Sequence, residues 1–437
     1  MNPIVIIKKL CFFILIGGLL LNINGCGKLK ELGLNIPNQD DIKSSESALT
    51  SEQNKQISAA TAAGDSALKS GQLSSAITQY EAVLAINPYD PTANLVLSMC
   101  EFIKMVSDPA TIEIVNNYEK KTGNKLPLPA SITAMSNQSA TIKTTGIFTK
   151  ESFDYSEYMN QLMLGFINGI PTMNAMRDTE VDFIERVLIP TMQISKNHLD
   201  IVLARETFSY TLKTNITRLD HDVIIDKSEC YLLRSLISLF EGMSHETVVY
   251  NTQLNPSMTT ANFTDVVSFL DANPNYMTIR SNGADHMKQA LACYASMIDS
   301  TKSAFVYIQN ATGNIQLKYN LSLQQIDSTI TVLDKTKTYL EGTPVQLCIS
   351  NADISSTPIT LNVNIAAYYN NPITDIREYV NHDVVIGKDL STSKFPNNFD
   401  FTIHGLFPDL KDTTQWQKVI PYIWLGRIRF ATQANHY

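Results

Sequence analysis

Lys8 and Lys9 lead into an apolar run from Leu10 to Leu21, and nothing after Leu21 is long and apolar enough to span a bilayer, which needs about 20 apolar residues. A run of that length with a basic start and a small residue at its end predicts a signal peptide. From Leu34 to Lys55 the pattern is polar and aperiodic, which predicts a flexible tether. Residues 57 to 90 then place Gly64, Ala67, Gly71, Ala76, Tyr80, Val83 and Pro88 at spacings that predict two antiparallel helices. Small residues at Gly64 and Ala76 let the helices approach, Tyr80 fills the groove between them, and Pro88 stops the second. A third helix is expected with Asp90 as N-cap, Pro91 at its first position and an end near Met105, its apolar side formed by Leu95, Val96, Met99, Phe102 and Ile103.

Residues 155 to 340 read as further helices. Phe183, Val187, Leu188, Ile194, Leu199 and Val202 mark one that Pro190 should kink, and Asp226 with Glu229 form a capping-box-like start to another over Tyr231 to Phe240. Asp285 is expected to cap a helix carrying Met287, Leu291, Tyr294, Ile298, Phe305 and Ile308, and a last helix runs near Leu323 to Leu340 and ends at Gly342. There the period changes to two: Val345, Leu347 and Ile349, then Leu361, Val363 and Ile365, predict a β-hairpin with a long connection. The remainder, with Phe395-Pro396-Asn397-Asn398-Phe399 and Leu406-Phe407-Pro408-Asp409, reads as loop-rich, its aromatics expected to cover the helical body.

The expected fold is mainly α, a helical hairpin packed on a larger helical body with a small C-terminal α+β part. The expected divisions are a signal peptide over 1–25, a tether over 26–55, the hairpin and following helix over 56–107, a helical domain over 108–341 and a hairpin-bearing, loop-rich region over 342–437. One hairpin cannot bury its own face, so it must pack on its neighbours, the helix after Asp90 first.

Of 437 residues, 412 would remain after residue 25, enough for two or three domains of roughly 100 to 200 residues. Without Lys8 and Lys9 the 34 basic residues fall to 32 against 42 acidic, a net of −10, which argues against a nucleic-acid binder. Cys100, Cys230, Cys293 and Cys348 are spaced too widely for a zinc ribbon or a thioredoxin-type pair, and their apolar neighbours predict buried thiols. An oxidising compartment leaves one or two disulfides open.

Ile23-Asn24-Gly25-Cys26, following the apolar run, resembles the lipobox of bacterial lipoproteins. The resemblance implies that the Cys26 thiol receives a diacylglycerol, that cleavage before it makes Cys26 the first mature residue, and that its new amine is acylated. Two or three acyl chains, at about 0.8 kcal/mol per buried methylene, would anchor the protein stably. Gly27 in place of Asp implies sorting to the outer membrane. Residues 57 to 90, with the ending Ala85-Ile86-Asn87-Pro88-Tyr89-Asp90-Pro91, resemble one tetratricopeptide repeat that lacks the bulky residues of the first helix, where Ala60 and Ala67 stand. A second repeat in register fails, because Ser98 replaces the small Gly and Pro109 falls inside the would-be second helix. The Phe-Pro-Asp loops resemble those of uncharacterised bacterial lipoproteins.

In the repeat, Ser58, Thr61, Asp65, Leu68 and Lys69 hold the inward positions of the first helix and form the candidate partner-binding surface, or else face the neighbouring domain. Only Lys69 can contact an acid directly, so carboxylate clamping is not expected. His245-Glu246-Thr247-Val248-Val249 begins like a zinc-protease helix, but the second His should stand at 249. Val249 removes it, so no metal is expected and His245 reads as a partly exposed helix-end residue. Asp220-His221-Asp222 with Asp226 and Glu229 gathers carboxylates as a calcium loop does, yet lacks the central Gly and has Val223-Ile224-Ile225 where oxygen ligands should be. It reads as a solvated loop ending in a helix cap. There is no G-x-S-x-G elbow, P-loop or dinucleotide fingerprint, and no cofactor is expected. His198, His286, His382 and His404 have no partner fixed by spacing, and a Ser/His/Asp set assembled in three dimensions stays open.

The sequence therefore leads to a non-enzymatic envelope lipoprotein that binds other envelope proteins as a scaffold or assembly factor. The alternative is a solute- or lipid-binding lipoprotein serving a transporter, and a third reading is an envelope hydrolase.

Overall fold

A computed structural model of the chain describes residues 39–70, 72–106, 178–212, 222–252, 266–311, 322–351, 355–383, 394–424 and 430–431. The fold is mainly helical with two small antiparallel β-hairpins. Two compact units share the chain, one from Cys26–Ser244 with Asp299–Ser328, the other holding His245–Ile298 and Thr329–Tyr437.

In the first unit, α1 (Gln39–Ser47) and α2 (Ser51–Lys69) occupy residues whose pattern predicted a tether. Among the residues from Gln39 onward this expectation is corrected. The aperiodic reading missed that one apolar residue suffices for so short a helix: Ile42 is 1% exposed, while Lys43 pairs with Glu206 and Glu46 with Arg205. The hairpin consequently begins at Ser51, not 56, on a capping box in which Gln53 N–H donates to Thr50 Oγ1 and Thr50 N–H to Gln53 Oε1.

The second arm, α3 (Leu73–Ile86), ends before Pro88. Tyr80 is fully buried against Gly64, where an added Cβ would stand 2.9 Å from the ring. Its hydroxyl donates to Asp65 Oδ1 at 2.5 Å. Ala67, Ala76, Tyr80 and Val83 share one core with Ala93, Val96, Leu97 and Cys100 of α4 (Pro91–Val106), so the helix expected as first neighbour covers the hairpin's open face. Asp90 caps it, its Oδ1 accepting from Ala93 N–H at 2.8 Å.

The kink expected at Pro190 takes the form of a π-helical segment, Ile184–Leu188, between α5 (Asp178–Phe183) and α6 (Ile189–Leu203). Proline lacks an N–H and crowds the carbonyl four residues back, and the preceding turn widens to five residues, with Ile189 N–H donating to Ile184 O. α6 lies along α4: Ser195 Oγ donates to Ser98 O at 2.7 Å and His198 Nδ1 bonds Asn94 Oδ1 at 2.7 Å. Ile194, placed on the apolar side by its spacing, is 45% exposed. Next, β1 (Ser209–Leu212) pairs antiparallel with β2 (Val223–Asp226), a hairpin the sequence reading took for solvated loop. Asp226 and Glu229 then start α7 (Lys227–Thr247) reciprocally, as expected: Asp226 N–H donates to Glu229 Oε2 at 2.8 Å and Ser228 N–H to Asp226 Oδ1 at 2.7 Å. On α7, Arg234 grips Asp200 of α6 through two bonds of 2.5 and 3.2 Å and donates to Ser300, and Glu241 pairs with Lys196, all largely buried.

In the second unit, α8 (Val266–Ala272) is closed at its C-terminus by Arg377, whose Nη2 donates to the carbonyls of Leu270 and Asn273 at 2.8 and 2.7 Å. α9 (Gly283–Asn310), whose residues from Asp299 onward belong to the first unit, begins after Asn282, so Asp285 lies inside its first turn instead of capping it. α10 (Leu323–Leu340) ends as expected on Gly342, whose φ of 106° suits a residue without Cβ, and Thr343 N–H returns to Thr338 O at 2.8 Å. β3 (Val345–Asn351) and β4 (Ser355–Val363) pair antiparallel with Val345 opposite Val363 and Leu347 opposite Leu361. Ile365 leaves the expected strand: Asn364 caps α11 (Ile365–Asn370) by accepting from Ala367 N–H. The C-terminal region, expected to be loop-rich, also holds α12 (Thr413–Trp424), a helix the sequence reading did not place. Its start is signalled by Asp412, whose Oδ1 accepts from Gln415 N–H at 2.9 Å, while Gln415 Oε1 accepts from Lys411 N–H. A short strand, β5 (Phe430–Ala431), joins β3 on its other edge. The loop aromatics Phe395, Phe399 and Phe401 pack on one another, 4.9 to 5.1 Å apart between ring centres. Residues 107–177 of the expected helical domain, Pro109 included, lie outside the described residues.

The hairpin's dependence on close approach is testable. Gly64→Val should destabilise the protein by about 1 to 3 kcal/mol, because the added atoms meet a fully buried ring. Ala62→Val, on the exposed side of the same helix, should stay within about 0.5 kcal/mol. Denaturant unfolding compares them, and equal midpoints would mean the Gly64 site has room to spare.

Candidate functional site

Cys26, the expected lipidation residue, lies outside the described residues. The five candidate surface positions divide. Ser58 and Lys69 are exposed, and Thr61 is half-buried. Leu68 packs against the hairpin core, and Asp65 accepts from two tyrosines, Tyr80 at 2.5 Å and Tyr210 of β1 at 3.0 Å. Desolvation and the Asp65 carboxylate raise both phenol pKa values. Asp65 thus ties the hairpin to β1, and the open side of α2 is left to Ser58 and Lys69.

His245 is corrected most sharply. It is 2% exposed, not a partly exposed helix end, because α7 continues to Thr247 and the start of α9 packs on it. His245 Nδ1 lies 2.7 Å from His286 Nδ1, and its ring comes within 4.8 Å of the buried Cys293 thiol, measured between ligand atoms. Spacing alone gave His286 and Cys293 no partner. They stand seven residues apart on α9, two helical turns, and so share a face that meets His245. Val249, where the zinc-protease pattern needs a second His, is fully buried in an apolar core with Met287, Ala290, Tyr368 and Tyr369.

Glu246 follows His245 in the chain and is half-buried. Tyr369 donates its hydroxyl to Glu246 Oε1, and Tyr294 also hydrogen-bonds the carboxyl. Burial pushes the Glu246 pKa above its ordinary 4.5 and outweighs the two tyrosine bonds, which act the other way. The pKa values of Tyr294 and Tyr369 are raised, first by burial and then by the Glu246 charge. The rings of Tyr368 and Tyr294 stand edge-on to Tyr369 at 5.6 and 6.1 Å, so the tyrosines pack on one another.

The remaining histidines among the described residues are individually engaged: His198 with Asn94, His382 with Asp271, and His404 with Asn371 O at 3.0 Å and Glu378 Oε2 at 3.1 Å. Both ring nitrogens of His404 are occupied, which leaves neither for a reacting group. In the suspected calcium loop, Val223–Asp226 is strand and Asp226 and Glu229 serve the α7 cap; His221 lies outside the described residues.

Since the folded state holds the Glu246 proton more tightly than the unfolded chain, stability attached to this group is full below about pH 4.5 and declines as pH rises through the raised folded value. Glu246→Gln should remove that decline, seen as a flatter profile of melting temperature against pH above about 4.5. Parallel profiles for the two proteins would show that the carboxyl is not held protonated by its burial.

No family model, no curated protein and no solved structure matches the chain.

Proposed function

We propose that the chain is a non-enzymatic cell-envelope lipoprotein, anchored through acylated Cys26 in the outer membrane, whose helical body binds other envelope proteins as a scaffold or assembly factor. The observation that carries this reading is the hairpin of α2 and α3. Tyr80 is buried between its two helices against Gly64, which supports the tetratricopeptide-like reading, and Ser58 and Lys69 stay exposed on its first helix. The engagement of both His404 nitrogens and the burial of His245 lend support to a binding role over the hydrolase reading. The solute-binding alternative needs a cleft lined by Tyr, Phe and Met, and the tyrosines around Glu246 fill their space by packing edge-on.

Cys26→Ser should abolish incorporation of a fatty-acid analogue and shift the protein from the detergent phase to the aqueous phase. A variant that still takes up label sinks the lipid anchor. Crosslinking and pull-down of the lipidated protein from its own envelope should recover a stable protein partner, and replacing Ser58 and Lys69 together by Glu should reduce that recovery while the melting temperature stays put. Undiminished recovery would remove the hairpin from the binding surface.

A further inference from the structure

α1 offers the first unit little apolar surface: Ile42, at 1% exposure, is its buried side chain. Two ion pairs join it to neighbouring residues after α6. Lys43 meets Glu206 at 3.1 Å with both side chains more than half exposed, and Glu46 meets Arg205 at 2.5 Å with the carboxylate 39% exposed. Isolated helices shorter than about 12 to 15 residues are marginal in water, and α1 has 9, so it keeps its shape only while it is seated. α2 does not depend on it, because the Thr50–Gln53 capping box starts that helix by itself.

Arg205 has a second group to serve. It also donates to the Tyr89 carbonyl, next to the half-buried Asp90 that caps α4. Burial raises the Asp90 pKa above its ordinary 3.8, while the Arg205 charge lowers it and the Glu46 charge raises it again. Glu46 and Asp90 thus compete for one guanidinium. When Glu46 leaves, Arg205 keeps Tyr89 and turns its charge to Asp90, so the loss of the ion pair is partly offset at the α4 cap. We propose that α1 is a releasable strap: seated, it holds Gln39–Ser47 against the body, and released, it adds those residues to the chain between the body and the anchor. The second half of this statement rests on the reading of acylated Cys26 as that anchor. As a helix the 9 residues span about 14 Å, at about 1.5 Å each, whereas released they extend to about 30 Å, at about 3.3 Å each. The seated strap keeps the body close to the membrane, and the released one lets it reach a partner further out.

Salt is the experimental lever, because the Debye length shrinks from about 10 Å at roughly 0.1 M to about 3 Å at roughly 1 M and each pair has a solvent-exposed carboxylate. Amide hydrogen exchange on the detergent-solubilised full chain tests the strap. The amides of α1 should exchange faster than those of α2, and about two- to tenfold faster still between roughly 0.1 and 1 M salt, while α2 stays unchanged. Glu46→Gln should reproduce that acceleration at low salt, and Ile42→Ala should accelerate α1 by about tenfold or more, both leaving the melting temperature in place. Protection of α1 equal to that of α2, or exchange in α1 that ignores salt and Glu46→Gln alike, overturns the strap. For the reach, the chain is placed on phosphatidylethanolamine–phosphatidylglycerol vesicles, and energy transfer from a dye on the body to a dye in the bilayer should fall in Ile42→Ala. Unchanged transfer while α1 exchanges freely overturns the control of reach. A chain that leaves the vesicles sinks the Cys26 anchor and the control of reach with it, and the exchange data still judge the strap.

Discussion

A pair of antiparallel helices has one apolar face and cannot cover it alone, and α4 is the element that resolves this for the first unit. One side of α4 completes the core of the α2–α3 hairpin through Ala93, Val96 and Leu97, and the other lies along α6. Serving two neighbours requires small polar residues where backbones approach, and Asn94 and Ser98, both fully buried, supply them. Asn94 bonds the carbonyls of Pro88 and Asp90 as well as His198, and Ser98 offers its carbonyl to Ser195. Each buried polar group is thereby satisfied, without which each would cost about 1 to 3 kcal/mol.

Between α6 and α7 the same unit buries full charges. Removing one partner of the Asp200–Arg234 or Lys196–Glu241 pairs would cost about 3 to 5 kcal/mol, whereas replacing both partners of a pair by well-packed apolar residues is often neutral. Such pairs therefore decide which residues face each other more than they deepen the energy well. The guanidinium of Arg234, reaching both Asp200 and Ser300, makes that choice for three segments far apart in the chain.

What the sequence made legible is what local rules encode: the hairpin with Tyr80 against Gly64, the Asp90 and Asp226 caps, the distortion of the helix at Pro190, the stop at Gly342, the β3–β4 pairing. What escaped it falls into two kinds. α1 was hidden because a single apolar residue, Ile42, anchors it, and α12 was missed although its residues are amphipathic and Asp412 signalled its start. The meeting of His245 with His286, and of Glu246 with Tyr294 and Tyr369, was hidden by distance, since nothing in linear spacing links residues 41 to 123 positions apart. A pattern search around His245 looked one turn ahead to Val249, and the partner stood on another helix.

The widened turn at Ile184–Leu188 has a consequence beyond accommodating Pro190. Each residue of an α-helix advances about 100° around the axis, so one extra residue in a turn rotates everything before it by that amount relative to everything after it. Val181 and Ile184 on one side, and Met192, Leu199 and Val202 on the other, are all buried, and the helix runs on without a loop. The segment is thus a frameshift written in three dimensions: a single residue's worth of insertion, absorbed into a continuous rod, that lets one helix satisfy two differently aimed apolar stripes.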